Sequence, residues 1–192
     1  MNSLPNGIRY SVFLRLGAAG YVVGFLSWLF YVSHLVPLLV GFRIEFPAAY
    51  IRVLPMIVYS LFSISHLLSS FGGLGLMIMH NSRVAMLCFV SYVATGSAWS
   101  YSVFKQGSCA ILGYTLMILA QFVWGTTLLR NQKHFPSPQV YEMVGICFIL
   151  SAFFCAVYWP IIGYFGFLSW LVGMGWLYAI CSAATAILLV RI

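Results

Sequence analysis

Residues 140–162, VYEMVGICFILSAFFCAVYWPII, carry a single charged side chain, that of Glu142. A helix needs about 20 predominantly apolar residues to cross the hydrocarbon core of a bilayer. This stretch meets that requirement, and the next one, residues 165–190, contains no charged residue. We therefore predict that both stretches cross a membrane as α-helices, joined only by Gly163 and Tyr164.

The composition of the whole chain agrees with this reading. Of the 192 residues, 63% are hydrophobic and only 6% are charged, and the mean hydropathy is +1.02. A soluble domain carries about 25% charged residues. Nine Lys and Arg with two Asp and Glu are too few to cover a water-facing surface, so lipid must be the solvent for most of the outside.

Further apolar runs precede these two. They cover residues 17–40, 51–79, 84–104 and 108–129. The links between runs are short, so consecutive helices are expected to pair as antiparallel hairpins. We predict an all-α integral membrane protein, a bundle of about six transmembrane helices joined by short loops, with residues 1–192 as a single transmembrane domain.

The basic residues are scattered, mostly at the ends of the apolar runs. This placement suits lipid headgroups and topology signals, whereas nucleic-acid binding needs basic residues clustered on one face, so no nucleic-acid partner is expected. The side that holds both termini has six: Arg9, Arg15, Arg83, Arg130, Lys133 and Arg191. The other side has three: Arg43, Arg52 and Lys105. The positive-inside rule then predicts both termini on the cytoplasmic or matrix-like side.

Two patterns leave alternatives open. The sequence GFLSWL at residues 24–29 recurs at residues 166–171, which fits either an internal duplication of the kind found in transporters or a chance match in an aromatic-rich chain. Aromatic residues toward the span ends are predicted to form interfacial belts: Trp99, Tyr101, Trp124, Tyr158 and Trp159.

The second span carries a polar face. At about 100° per residue, one side of this helix collects Tyr59, Ser63, His66, Ser70 and Gly73. This face is either a helix contact, where small residues allow close approach, or the polar wall of a ligand pathway. In both cases the His66 imidazole should face protein, because its nitrogens need partners: a hydroxyl, a backbone carbonyl or Gln121. The predicted ligand-binding residues are His66, Gln121, Ser63, Ser70 and Tyr59.

Haem is the cofactor that membrane histidines suggest first. The candidates are His34 and His66, but their predicted depths differ by roughly 13 Å, so a single haem within this chain cannot take both without severe tilt. The five cysteines form no CxxC pair, and no metal site is predicted. We expect no cofactor of the chain's own, with a haem b or a quinone shared with a partner chain left open.

Catalytic signatures are absent from the sequence. There is no HExxH, no GxSxG and no paired carboxylate, since Glu45 and Glu142 are the only acids. Small residues recur every four positions on several spans, as at helix interfaces. We therefore expect a non-catalytic, membrane-embedded subunit of a larger membrane protein complex, with a respiratory or other electron-transfer assembly as one setting. The alternative is a small-solute transporter or substrate-binding membrane protein with a site near the bilayer centre.

Overall fold

The computed structural model describes the backbone of residues 7–31, 33, 47–105 and 110–192, and their side chains except at 7–9, 48–51, 110 and 158–175. This part of the chain is helical and has no strand. The helices are α1 (Gly7–Phe30), α2 (Ala48–His80), α3 (Arg83–Phe104), α4 (Ala110–Asn131), a short 3-10 helix (Gln132–His134) and α5 (Pro138–Val190). The predicted all-α membrane fold is confirmed.

The last helix, α5, turns back on itself. Its backbone is helical from Pro138 to Val190, including the predicted link at Gly163 and Tyr164, yet the Tyr141 hydroxyl donates a hydrogen bond of 2.9 Å to the carbonyl of Leu188. Along a straight helix these residues would lie about 70 Å apart. The chain therefore reverses direction between the first arm (Pro138–Val157) and the second arm (Trp176–Val190).

In the described part of the chain, five helical segments are long and apolar enough to cross a bilayer: Tyr10–Phe30, Arg52–His80, Arg83–Phe104, Ile111–His134 and Pro138–Val157. The second arm of α5 adds a shorter apolar helix, Trp176–Val190. Together these six segments form a multi-pass bundle whose environment is a lipid bilayer. The expected span 17–40 overlaps α1 only in part, because α1 begins at Gly7 and residues 34–40 lie outside the described part of the chain.

The early start of α1 has a physical reason. Its first turns are amphipathic: Leu14 is buried in the bundle while Arg15 is exposed. A span read from an uninterrupted apolar run begins only after the last charged residue, at Gly17. The helix extends further because the buried side of these turns still packs against its neighbours.

The α2–α3 turn is fixed by local chemistry. Asn81 ends α2 in the left-handed conformation, with φ of 49°, which asparagine adopts more readily than most residues. Ser82 then begins α3 as its N-cap, accepting a hydrogen bond from the backbone N–H of Ala85. This two-residue link forces α2 and α3 into an antiparallel hairpin.

Backbones approach most closely where α1 crosses α2. A Cβ placed on Gly17 would lie 2.5 Å from the Cα and backbone nitrogen of Gly72. One turn further along α1, a Cβ on Gly20 would lie 2.2 Å from the backbone nitrogen of Ser69. Glycine is therefore required at both positions for the helices to touch, in agreement with the small-residue contacts predicted for these spans.

The described basic residues separate by end of the bundle, as the sequence predicted. The end that carries Arg15 also holds Arg83, Arg130, Lys133 and Arg191, while Arg52 and Lys105 lie toward the opposite end. Arg9 has no described side chain, and Arg43 lies outside the described residues. Which side of the membrane each end faces stays a prediction.

Candidate functional site

One aromatic ring from each of the six segments meets at the middle of the bundle. The Tyr21 ring lies 5.3 Å from that of Trp124 and 6.0 Å from that of Tyr92, between ring centroids. Phe148 joins the cluster at 6.3 Å from Tyr21. The rings of His66 and Tyr92 are 5.7 Å apart, and those of Phe148 and Tyr178 are 6.2 Å apart. We call this buried set the aromatic centre: Tyr21, His66, Tyr92, Trp124, Phe148 and Tyr178.

His66 is enclosed, with 1% of its surface exposed, so the expectation that its imidazole faces protein is confirmed. Its Nδ1 lies 2.6 Å from the backbone carbonyl of Phe62. Because a carbonyl only accepts, Nδ1 carries the proton in this bond, and Nε2 of the neutral ring presents a lone pair.

The other polar groups of the centre are only partly paired. The Tyr21 hydroxyl donates to that of Tyr92 at 3.0 Å, which links α1 to α3. The centre also contains a buried donor, the indole N–H of Trp124, that has no partner among the described residues. Buried polar groups without partners cost free energy.

Gln121 was predicted as a possible partner of His66, and the structure gives it a different one. Its Oε1 accepts a hydrogen bond of 3.3 Å from Ser151, which joins α4 to the first arm of α5. His66 instead bonds within its own helix. These two predicted ligand-binding residues thus share no hydrogen bond.

Two of the three remaining predicted residues, Ser63 and Tyr59, pack α2 against α3. The Ser63 hydroxyl lies 3.0 Å from the Gly96 carbonyl and 2.6 Å from the Ser100 hydroxyl. The Tyr59 ring stacks on that of Trp99 at 5.5 Å. Ser70 bonds to the carbonyl of Leu67 in its own helix. The contacts of Ser63 and Tyr59 fit the helix-contact reading of the polar face, and ligand binding by these residues stays a prediction.

Sequence reasoning missed most of the aromatic centre. Trp124 was assigned to an interfacial belt, but it lies about 10 Å from the end of α4 and is fully buried against Tyr21 and Tyr92. Three tyrosines, a tryptophan and a phenylalanine inside apolar runs carry no periodic signal that separates the centre from the belts. What the sequence did offer was the size of these rings. Large side chains at the same depth as His66 are candidates to fill the interior of the bundle.

The structure does not test the haem predictions. His34 lies outside the described residues, so the His34–His66 haem suggestion stays a prediction. Within the described residues, no group of three or more His, Cys, Asp or Glu side chains could hold a metal ion. Two of the described histidines lie together at the bundle end, where His80 and His134 stack with ring centroids 4.7 Å apart.

A groove runs along the outside of the bundle between α4 and the first arm of α5. Its volume is about 680 Å³. We call it the apolar groove, and it is lined by Thr115, Leu116, Ile118, Leu119, Phe122, Ile149, Leu150, Ala152, Phe153 and Ala156. The hydroxyl of Thr115 donates to the carbonyl of Ile111, so the lining offers a partner essentially no polar group.

Comparison with known proteins identifies no relative of this chain. No family model, no curated protein and no solved structure matches this chain. Function is therefore inferred from the arrangement of the chain's own residues, the aromatic centre inside the bundle and the grooves outside it.

Proposed function

We propose that this protein is a non-catalytic, membrane-embedded subunit of a larger membrane assembly, and that a transmembrane helix of a partner subunit docks in the apolar groove. The observation that carries the proposal is the groove itself, an apolar channel open to the membrane on the outer side of two helices. In the membrane such a groove is occupied either by lipid chains or by a helix. A helix makes the larger contact area with the groove.

The surface shape of the groove is suited to packing against a helix. Ala152 and Ala156 lie one turn apart, and small residues at this spacing let a second backbone approach closely. Ala152 is buried at the bottom of the groove, whereas Phe122 and Phe153 stand out beside it as exposed walls. Ridges of side chains on a partner helix pack into depressions of this kind.

The aromatic centre supports a non-catalytic role. Side chains from all six segments fill the middle of the bundle, and the hydrogen bonds of Ser63 and Gln121 connect helices to one another. The side chains of Ser63, Gln121 and Ser151 are therefore engaged in hydrogen bonds that hold helices together. The exposed surface then becomes the part of the molecule that acts on partners.

The test fills the groove with a bulky side chain. Ala156→Trp is expected to abolish co-purification of partner subunits from the native membrane in mild detergent, while leaving the melting temperature of the isolated protein unchanged. The matched control is Leu87→Trp, at a position of α3 that is 60% exposed and does not line the groove. Wild-type protein that purifies alone, or partners retained equally by both variants, would contradict the proposal.

The second candidate function is a small-solute transporter or substrate-binding membrane protein. It is favoured by the buried indole N–H of Trp124, which has no partner among the described residues and which an oxygen of a small polar solute would satisfy, and by the enclosed ring of His66 in the same centre. A solute that raises the melting temperature of wild-type protein but not of His66→Leu would favour this function. A haem absorption band in the purified assembly would instead favour the electron-transfer setting.

A further inference from the structure

A second groove lies on the outside of the bundle, between α1 and the second arm of α5. Its volume is about 440 Å³. We call it the basic groove, and it is lined by Arg15, Ala18, Ala19, Val22, Ala186, Ile187, Val190 and Arg191. Two of these residues are cationic and the other six are apolar.

The two kinds of lining occupy different parts of the groove. Because α1 and the second arm run antiparallel, with the Gly17 position 3.5 Å from the Leu189 side chain, Arg15 and Arg191 lie at the same end of the groove. Val22 is seven residues beyond Arg15 on α1, about 10 Å along the helix. The groove thus has a charged end near the bundle terminus and an apolar body that runs toward the membrane interior.

Neither arginine is neutralised by a residue that the structure describes. Both side chains are exposed, and neither forms an ion pair in this part of the chain. The described part of the chain has one acidic side chain, Glu142. Two unpaired guanidinium groups therefore flank one end of a groove in which Val22, Ile187 and Val190 are exposed to lipid.

We propose that the basic groove binds an anionic phospholipid. The phosphate lies between Arg15 and Arg191, and an acyl chain follows the apolar body along Ala19 and Val22. Guanidinium groups bind phosphate oxygens with paired hydrogen bonds, and basic pockets between transmembrane helices recognise anionic headgroups. A partner helix fits this groove less well, because it would bury two unpaired cations.

The experiment measures lipid binding by the purified protein in nanodiscs of phosphatidylcholine with and without phosphatidylglycerol, read by native mass spectrometry after release. Wild-type protein is expected to retain phosphatidylglycerol selectively. Arg15→Gln with Arg191→Gln is expected to weaken that binding about 30-fold, or about fivefold for each arginine. The matched control, Arg83→Gln with Arg130→Gln, removes two exposed arginines at the same end that do not line the groove, and should keep it.

Two further measurements separate the parts of the site. Ala19→Phe fills the apolar body while leaving both arginines, and it should lower retention of the lipid. Arg15→Lys with Arg191→Lys keeps the charge and the fold but removes the paired geometry, and it should weaken binding by less than the glutamine pair. Melting temperatures in phosphatidylcholine alone establish that each variant is folded.

Several results would overturn the proposal. One is equal phosphatidylglycerol retention by wild type and the groove double variant. Another is stabilisation by inorganic phosphate as large as that by the lipid, which would assign the arginines to a soluble anion. A third is unchanged retention in Ala19→Phe, which would remove the acyl chain from the groove.

Discussion

The aromatic centre and the apolar groove share α4 and the first arm of α5, and they differ in almost every physical respect. The centre is closed by rings from six segments, is 4% exposed or less, and contains the indole N–H of Trp124, a buried donor with no partner among the described residues. The groove is open and contains almost only hydrocarbon. In this bundle the polar and aromatic side chains of the centre lie inside and hold the helices together. The unfilled volume of the apolar groove lies on the outer surface, where a partner can reach it.

The hydrogen bonds between segments are few, so packing dominates the stability of the centre. The described bonds between segments include Tyr21–Tyr92, Ser65–Gly20, Ser63–Gly96, Gln121–Ser151 and Tyr141–Leu188. In membrane proteins such bonds contribute about 0.6 kcal/mol each on average. Truncation of a buried ring removes several times that amount.

The largest expected effect comes from two phenylalanines on the first arm of α5. Phe148 is fully buried in the aromatic centre, whereas Phe153 is 58% exposed in the groove wall. Phe148→Ala is expected to lower the free energy of unfolding by about 4 kcal/mol, because it leaves a cavity. Phe153→Ala is expected to change it by less than about 0.5 kcal/mol. Denaturant unfolding in micelles measures both, and similar losses would erase the distinction between the two regions.

The next effect tests close backbone contact with an unusually well matched pair. Gly17→Ala places a methyl group 2.5 Å from the backbone of Gly72, which cannot move without separating α1 from α2. Gly72→Ala meets the flexible end of Leu189 at 3.2 Å, and both the Gly17 Cα and the Trp124 ring are at an ordinary contact distance of 3.7 Å. The first substitution is expected to destabilise by about 3 kcal/mol and the second by less than about 1 kcal/mol.

Melting temperatures of the two alanine variants in the same detergent decide this point. If Gly72→Ala is as damaging as Gly17→Ala, the helices meet with a different register from the one described. A mild effect of Gly17→Ala would likewise mean that α1 and α2 are further apart than the glycine contact requires.

A smaller effect concerns the hydroxyl pair. Tyr21→Phe removes the donor to Tyr92 while keeping the ring contact with Trp124. It is expected to cost about 1 kcal/mol, and the double variant with Tyr92→Phe should cost no more than the single one, since the two hydroxyls serve each other. Additive losses in a double-mutant cycle would show that each hydroxyl has a further partner.

The smallest effect belongs to His66 and is the sharpest test of the centre. Its described hydrogen bond, from Nδ1 to the carbonyl of Phe62, lies within α2. His66→Leu breaks no described hydrogen bond between helices, so the unfolding free energy is expected to stay within about 1 kcal/mol of wild type. A loss well above that value would mean that Nε2 is occupied in the membrane, as the solute-binding alternative requires. His66→Gln, which keeps a hydrogen-bonding group, is the control.

The sequence predicted the architecture well because the bilayer imposes it. Apolar runs such as residues 84–104 and 140–162 must be helical, since lipid cannot satisfy a free backbone. The inward direction of His66 follows from the same argument, and a backbone carbonyl was one of its three expected partners. The amphipathic first turns of α1 escaped because Arg15 interrupts the apolar run, although Leu14 is buried.

The candidate site was harder to predict than the fold. Which helix neighbours which depends on packing between segments distant in sequence, so no pattern within α4 reveals that Gln121 meets Ser151 rather than His66. Tyr21 and Tyr92 meet across 71 residues of sequence separation. Both grooves arise in the same way, since each is formed by two helices, and neither helix carries the groove alone.

The reversal within α5 has a consequence for how the chain enters the membrane during synthesis. No charged residue occurs between Glu142 and Arg191, so the stretch that leads across and back contains nothing that resists passage through hydrocarbon. Both arms can be transferred from the insertion machinery as one hairpin. Its direction is then set by basic residues that do not cross, Arg130 and Lys133 before it and Arg191 after it. A lysine introduced into the middle of this stretch would act as a topology signal on the opposite side of the membrane from the basic residues at its two ends. The two signals would then favour opposite orientations of the hairpin.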